Sequence, residues 1–209
     1  MSDMSDIGKR LVEAVYPSRP RVAISAGHCP EAPGAVGSLW PGGGPVCSEY
    51  QLAQYIVDEA FPYPSQAPRD GYEYRVFRRG PDNSVRELCQ WINAWRATLA
   101  IELHFNAFDE TTAGCEVLAW ATSTTSTDLA RIAADDLSGY LGNPNRGVNL
   151  VYLGNRGATY LSSTQCPALI LEPAFLDNPR DICRVSVDIS GFANILRQTV
   201  TALLCYIDA

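Results

Sequence analysis

The stretch LAIELHF, residues 99–105, is apolar at all but two positions and ends beside a histidine. A short run that is apolar on both faces is typical of a strand covered by helices on both sides of a sheet. With this stretch, Leu99–Phe105, there are six candidate strands. The other five are Arg21–Ser25, Tyr72–Phe77, Glu116–Trp120, Asn149–Leu153 and Ala168–Glu172. These segments indicate a mainly parallel sheet of about six strands.

Amphipathic segments with their own start and stop signals alternate with these strands. A serine followed three residues later by Gln or Glu is a capping-box pattern, and it occurs at Ser48 and Ser84. Two further helices are predicted over residues 127–141, with Gly142 as the C-cap, and over 189–207. Alternating strands and helices predict an α/β fold, a three-layer sandwich whose central sheet is mainly parallel or mixed.

The length of 209 residues suits one domain that can bury a core without disulfides. We expect a single domain over residues 21–209, preceded by an extension, residues 1–20, that packs on the domain or is partly disordered. The net charge is −7, and the basic residues form no stripe of the kind that binds nucleic acid. No apolar run is long enough to insert into a membrane, and we expect a monomer.

The cysteines and the first ten residues bear on the cellular compartment. The chain has seven cysteines, an odd number, and no pair has the CxxC spacing of a zinc or redox site. Reduced thiols fit a protein that folds in a cytoplasm. The first ten residues are polar and lack the apolar core of a secretory signal. We therefore expect a protein that acts where it is made or is released by a route other than general secretion.

The chain contains two histidines, and both stand at the end of a predicted strand. His28 comes just after Arg21–Ser25, and His104 lies near the end of Leu99–Phe105. The carboxyl ends of parallel strands meet at one edge of a sheet, which is where ligands bind in open α/β folds. Two histidines in such positions favour a shared metal, although His28 taken alone is equally well explained as a hydrogen-bonded loop residue.

A third metal ligand is suggested by the chemistry of zinc. A catalytic zinc site needs three protein ligands and one open position, and two His with one Glu is a standard set. Glu49 is the candidate, since it follows Ser48 in the first turn of a predicted helix, where the helix dipole favours a carboxylate. A purely structural explanation also stands, because acidic residues are common at helix starts.

A fourth candidate, Glu172, ends the predicted strand Ala168–Glu172 and is followed by Pro-Ala-Phe. A buried carboxylate without a partner is costly, so Glu172 needs one. The partner is water at a metal, backbone donors, or an arginine such as Arg78, Arg79 or Arg156.

Four motifs, taken in order, resemble the zinc-dependent N-acetylmuramoyl-L-alanine amidases of the amidase-3 type. They are an apolar strand running into Gly-His, a lone Glu that opens a helix, a strand ending in His-x-Asn-Ala, and an apolar strand running into Glu-x-x-Phe. They lie at residues 22–28, 48–53, 104–107 and 167–175. The resemblance covers residues 21–205, and four spaced motifs are far more specific than any one of them.

This resemblance implies that His28, Glu49 and His104 bind Zn²⁺ and that Glu172 is the catalytic base. The implied substrate is peptidoglycan, hydrolysed by zinc-activated water at the amide bond between N-acetylmuramic acid and L-Ala of the stem peptide. The expected context is a bacteriophage endolysin, made in the host cytoplasm without a signal peptide. It would act on the cell wall or periplasm after release, during host cell lysis.

The chain departs from the family pattern at two places near these residues. Cys29 follows the first histidine where the family has Gly, and a thiolate at this position is a rival zinc ligand. Glu102 replaces a small residue two positions before His104 and shares its strand face. Glu102 therefore either enters the site or supports a ligand from behind, and Asn106 is a second candidate for that supporting role.

Two other functions are compatible with the same residues. One is a zinc hydrolase of another amide polymer, such as poly-γ-glutamate or a peptide, since a fold does not fix its substrate. The other is a catalytically inert module that binds the cell wall.

Overall fold

A six-stranded sheet carries the fold in the computed structural model, which describes residues 19–62 and 71–208. The strands, including two in a separate hairpin, are β1 (Arg21–Ala26), β2 (Val36–Ser38), β3 (Val46–Ser48), β4 (Glu73–Phe77), β5 (Leu99–Leu103), β6 (Cys115–Trp120), β7 (Asn145–Val151) and β8 (Ala168–Glu172). The helices are α1 (Glu49–Ala60), α2 (Val85–Ala94), α3 (Thr124–Leu141), α4 (Ala158–Ser163), α5 (Pro179–Ser186) and α6 (Ile189–Ile207). The predicted extension, residues 1–20, lies outside the described ranges except for its last two residues.

The central sheet has the strand order β4-β1-β5-β8-β6-β7. The first four of these strands are parallel to one another. β6 is antiparallel to β8, and β7 is parallel to β6. The prediction of a mainly parallel or mixed sheet of about six strands is therefore confirmed.

Helices cover both faces of this sheet and give the three predicted layers. On one face, α1, α3, α5 and α6 pack against apolar side chains such as Ile24, Ile101 and Leu171. On the other face, α2 and α4 cover a smaller core that includes Ala100 and Ile170. Alternate residues of one strand therefore enter different cores, which explains why these strands are apolar almost throughout.

The helix signals in the sequence correspond to real caps. Ser48 accepts a hydrogen bond from the backbone of Gln51, whose side chain accepts one from the Ser48 backbone. Ser84 and Glu87 form the same reciprocal pair at the start of α2. Gly142 ends α3 in a left-handed conformation with φ of 63°, as predicted. The first cap matters for function, because it makes Glu49 the first residue of α1.

Several boundaries differ from the sequence prediction. The strand predicted over Leu99–Phe105 ends at Leu103. The strand predicted over Asn149–Leu153 is β7, which begins at Asn145, because an edge strand tolerates polar residues that a buried strand excludes. Pro and Gly cluster in two segments, Cys29–Pro45 and Phe61–Gly71, and this composition predicts loops. The first segment contains the short strand β2. The second lies largely outside the described ranges.

Two further properties concern the predictions about membranes and thiols. Within residues 19–62 and 71–208, no helix combines the length and the hydropathy that crossing a membrane requires. All seven cysteines fall within the described ranges, and none of them is in a disulfide.

A buried aspartate, Asp181 in the first turn of α5, ties the loops at the carboxyl edge of the sheet together. Its Oδ2 accepts backbone hydrogen bonds from Gly114, just before β6, and Phe175, just after β8, at 3.0 and 2.8 Å. Its Oδ1 accepts a longer bond, 3.4 Å, from Asn143. This one carboxylate therefore fixes three separate chain segments near the end of β8.

We predict that Asp181→Ala destabilises the protein by about 2–5 kcal/mol, because it leaves buried backbone N–H groups without an acceptor. The measurement is the free energy of unfolding in urea. Asp82→Ala is the control, since Asp82 is exposed in a loop and its loss should change stability by less than about 0.5 kcal/mol. Equal unfolding midpoints for the two variants would contradict this account of the loop region.

Candidate active site

Three neighbouring strands, β1, β5 and β8, end at the same edge of the sheet and bring the predicted residues together. His28 follows β1 after one glycine, His104 directly follows β5, and Glu172 is the last residue of β8. The imidazole rings of His28 and His104 meet edge to face with centroids 5.0 Å apart. The backbone N–H of His104 donates to Leu171 on β8, which fixes the height of this histidine relative to Glu172.

Glu49 reaches both histidines from the start of α1. One carboxylate oxygen lies 2.7 Å from His104 Nδ1, and the other lies 2.9 Å from His28 Nε2. The same oxygens accept backbone hydrogen bonds from Ala35 and Phe105. Burial acts to raise the pKa of Glu49, but the two imidazoles outweigh burial and hold this pKa well below its usual range. Glu49 is therefore an ionised, buried carboxylate at neutral pH.

These three residues have the dimensions of a metal site. His28, Glu49 and His104 each offer one ligand atom, and the three atoms lie within 4.8 Å of one another. This is the sole such group among the described residues, and Cys29 does not belong to it. Cys29 is buried, and its backbone is paired with Ala32.

The donor set fits zinc on two counts. Two imidazoles and one carboxylate are a standard set for catalytic zinc. In addition, His28 Nε2 is buried and faces Glu49 Oε2 at 2.9 Å, but it makes no hydrogen bond within the described part of the chain. A nitrogen in this position is costly unless it has a ligand to bind.

Two glycines leave room for the three side chains. A Cβ at Gly27 would lie 2.2–2.5 Å from three ring atoms of His104. A Cβ at Gly34, where φ is +78°, would lie 2.5 Å from Glu49 Oε2 and 2.7 Å from the ring of His28. Glycine at positions 27 and 34 therefore has a steric reason, since any larger residue would displace a candidate ligand.

Glu172 lies beside this group and pairs with an arginine. Its side chain is 2% exposed, and its Oε1 lies 3.0 Å from Nη2 of Arg156, which is also 3.9 Å from Glu49. Burial raises the pKa of Glu172, although the positive charge of Arg156 acts in the opposite direction. Of the three arginines considered from sequence, Arg156 is thus the partner, while Arg78 pairs with Asp58.

A pocket of about 230 Å³ opens from these residues toward α4. Its lining includes His28, Glu102, His104, Arg156, Tyr160 and Glu172. Apolar side chains such as Leu118 and Ile170 form the wall on the sheet side. The pocket therefore combines an apolar wall with convergent polar groups, which is the usual character of a small-molecule site.

The two residues predicted to support the site occupy different places. Glu102 is buried, and its Oε2 lies 3.2 Å from His104 Nε2. Burial lowers the pKa of His104, but hydrogen bonds to Glu102 and Glu49 outweigh it and raise this pKa to about 9. Asn106 instead donates to Glu116, which also accepts from Arg146. The side-chain N–H of Asn106 is therefore bonded to Glu116 and not to one of the three candidate ligands.

Helix α4 and its contribution to the pocket were not predicted from the sequence. Tyr160 on this helix is 1% exposed and lines the pocket, with a hydroxyl that has no hydrogen-bond partner in the described residues. α4 has only six residues, too few for a clear helical period. The available signal was Gly157, whose positive φ and close contact with Ile170 mark a tight approach of α4 to the sheet.

We predict that Gly34→Ala weakens zinc binding, because the new methyl group would press on both Glu49 and His28. Gly147→Ala is the matched control. Gly147 has a nearly identical φ of +79°, but its Cβ would meet nothing within 4 Å. Both variants should lose roughly 1–2 kcal/mol of stability from the left-handed backbone, whereas only Gly34→Ala should lose zinc affinity in a calorimetric titration. Equal zinc affinities would show that the glycine is not needed for the site.

Solved structures of N-acetylmuramoyl-L-alanine amidases and of an endolysin domain share this fold. The catalytic domain of the CD27L endolysin targeting Clostridium difficile has a TM-score of 0.69 at 21% identity, covering 87% of this chain and 96% of that one. An N-acetylmuramoyl-L-alanine amidase from Clostridium difficile 630 has 0.70 at 19%, covering 92% and 98%. The catalytic domain of CwlV, an amidase from Paenibacillus polymyxa, has 0.67 at 19%, covering 90% and 98%. At these identities the likeness shows the fold alone.

The comparison at the level of sequence gives the family. No curated protein sequence is a significant match to the chain. The family model described as N-acetylmuramoyl-L-alanine amidase, of the amidase-3 type, matches residues 22–190. This range is most of the chain and includes His28, Glu49, His104 and Glu172. The chain therefore belongs to the amidase-3 family of N-acetylmuramoyl-L-alanine amidases.

Proposed function

We propose that this chain is a zinc-dependent peptidoglycan hydrolase that cleaves the amide bond between N-acetylmuramic acid and L-Ala of the stem peptide. The observation that carries the proposal is the close group of His28, Glu49 and His104 beside Glu172, on a fold whose family model spans residues 22–190. Family membership supplies the reaction, and the geometry supplies residues able to perform it.

In this proposal His28, Glu49 and His104 hold the zinc ion. When bound, zinc supplies a Lewis acid that polarises the scissile carbonyl and lowers the pKa of the attacking water. An imidazole that binds a metal is neutral. One anionic carboxylate and two such imidazoles would therefore leave a divalent ion with a net positive charge.

Glu172 is the general base in this proposal. A carboxylate oxygen of Glu172 accepts a proton from the attacking water, and the same oxygen then delivers a proton to the nitrogen of the departing L-Ala. Overall, the C–N bond breaks, the lactyl carbonyl gains the water oxygen, and L-Ala leaves as a free amine. The raised pKa of Glu172 suits both halves of this transfer, because a base of very low pKa would accept the proton poorly.

Arg156 orients Glu172 and offsets its charge. The ion pair at 3.0 Å engages Oε1 of Glu172, which leaves Oε2 for the proton transfer. The Arg156 side chain is 57% exposed, so it reaches Glu172 from the solvent side of the pocket. Arg156 therefore lies where an incoming substrate passes, and we assign it a positioning role.

The biological setting is part of the proposal. We infer that the protein acts as a monomeric bacteriophage endolysin, made in the host cytoplasm and acting on the cell wall after release. Support comes from seven cysteines without a disulfide, as expected of a protein folded under reducing conditions. Further support comes from the likeness to the CD27L endolysin catalytic domain.

Digestion of purified sacculi tests the reaction itself. We predict that mass spectrometry will show intact stem peptides with free L-Ala amino ends, together with glycan strands that retain their lactyl carboxylates. Poly-γ-glutamate, incubated in parallel, should stay intact. Release of shortened stem peptides, or degradation of poly-γ-glutamate with no action on sacculi, would assign the chain a different amide bond.

Substitutions separate the base from the ligands. Glu172→Gln keeps the shape of the carboxylate but cannot accept a proton, so turnover should fall by at least about 100-fold while zinc content stays near one per chain. His104→Ala should lose zinc and activity together. Glu73→Gln, in an exposed ion pair at the opposite end of the sheet, is the control and should match wild type. A Glu172→Gln variant with near wild-type turnover would remove Glu172 from the base role.

A further inference from the structure

Glu102 is a buried carboxylate that is neither one of the three candidate metal ligands nor the proposed catalytic base. It lies on β5, an otherwise apolar strand in the centre of the sheet, and its residue is 4% exposed. Replacing a buried charge by an apolar residue of similar size is often neutral or stabilising, so packing alone does not explain Glu102.

We propose that Glu102 is a positioning residue that holds His104 as a metal ligand through Nδ1. The inference rests on the proposed function insofar as zinc is the ion bound by His28, Glu49 and His104. It assigns to Glu102 a role distinct from the catalytic role of Glu172, although both carboxylates line the same pocket.

The His104 ring lies between two carboxylates. Nδ1 lies 2.7 Å from Glu49 Oε1, and Nε2 lies 3.2 Å from Glu102 Oε2. Nδ1 is therefore on the side of Glu49, among the candidate ligands, whereas Nε2 points away from them. A cation bound at Nδ1 would displace the proton from that nitrogen. The one N–H of the neutral imidazole would then be on Nε2, where Glu102 accepts it.

An N–H at Nε2 determines what the other ring nitrogen of His104 can bind. With the proton on Nε2 and donated to Glu102, the lone pair of Nδ1 is free to bind a cation. A carboxylate that accepts from the distal N–H of a ligating histidine fixes the tautomer and the ring orientation and raises the basicity of the ligand. Loss of such a partner typically weakens metal binding by about 10- to 100-fold.

The contacts of Glu102 make it less suited than Glu172 to act as the base. Glu102 could in principle act as the base, because its Oε1 is buried without a hydrogen-bond partner in the described residues and the side chain lines the pocket. However, Oε2 is already engaged by His104, whereas the partner of Glu172 is the half-exposed Arg156. Any motion of Glu102 toward substrate would also disturb His104, so the base and the support fall to different residues.

The experiment compares zinc affinities, measured by competition with a chromogenic chelator, for wild type, Glu102→Gln and Glu102→Met. The Gln variant can still accept from His104 Nε2, so we expect less than about a 10-fold loss of affinity. The Met variant fills the space without an acceptor and should lose about 10- to 100-fold. Glu172→Gln, which removes a buried charge at the same edge without touching His104, should bind zinc as wild type does.

Turnover at saturating zinc gives the second readout. A positioning role predicts that excess zinc restores most of the activity of Glu102→Met, which a missing base would not allow. Equal zinc affinity in wild type and Glu102→Met overturns the inference alone, as does a Met variant that stays inactive when fully loaded. A wild-type protein that binds no zinc overturns the metal part of the proposed function as well.

A third variant keeps the test decisive if Glu102→Met does not fold. Glu102→Asp keeps the charge but is one methylene shorter, so its carboxylate cannot hold Nε2 at the same distance. We expect the zinc affinity of Glu102→Asp to fall below that of Glu102→Gln, although of these two variants only Glu102→Asp keeps the negative charge. The opposite order would mean that charge, and not the hydrogen bond to His104, is what the site requires, and the inference would fail.

Discussion

The buried carboxylate of Glu49 is the constraint around which the rest of the site is arranged. An ionised carboxylate that is 3% exposed needs compensation on every side. Two imidazoles and two backbone N–H groups, from Ala35 and Phe105, provide it. Such contacts are possible only if the start of α1 lies against the ends of β1 and β5. The capping box at Ser48 fixes where α1 begins, and Gly27 and Gly34 leave room for the close approach.

The direction of the strands decides which charges collect at this edge. Because β1, β5 and β8 are parallel, they deliver two histidines and Glu172 to one place. β6 runs the opposite way, and its register sets Glu116 opposite Glu172. Arg146 and Arg156 neutralise these two carboxylates individually. Glu49 and Glu102, by contrast, have only histidines as charged partners within the described structure, apart from the distant contact of Arg156 with Glu49, and this excess of negative charge favours a bound cation.

Sequence patterns predicted the sheet, the long helices and the meeting of the two histidines, because strand periodicity and strand ends are local properties. The place of Glu49 was harder to predict, since a helix-start carboxylate looks the same whether or not its helix approaches a histidine. Position alone also left Arg78, Arg79 and Arg156 equivalent as partners of Glu172. Only the packing of the segment before α4 against the sheet selects Arg156, and that contact depends on residues distant in sequence.

The two glutamates at the end of the sheet show how environment assigns different tasks to one residue type. Glu102 precedes His104 by two residues, and its carboxylate contacts Nε2 of His104. Glu172 ends its strand beside the group of His28, Glu49 and His104. The residue that pairs with Glu172 is Arg156, whose side chain is the most exposed of the site. An exposed partner can rearrange when substrate enters, whereas a buried one cannot. In the proposed mechanism, the carboxylate with the movable partner is therefore the one that exchanges protons, and the one held against a proposed ligand preserves the geometry in which that exchange occurs.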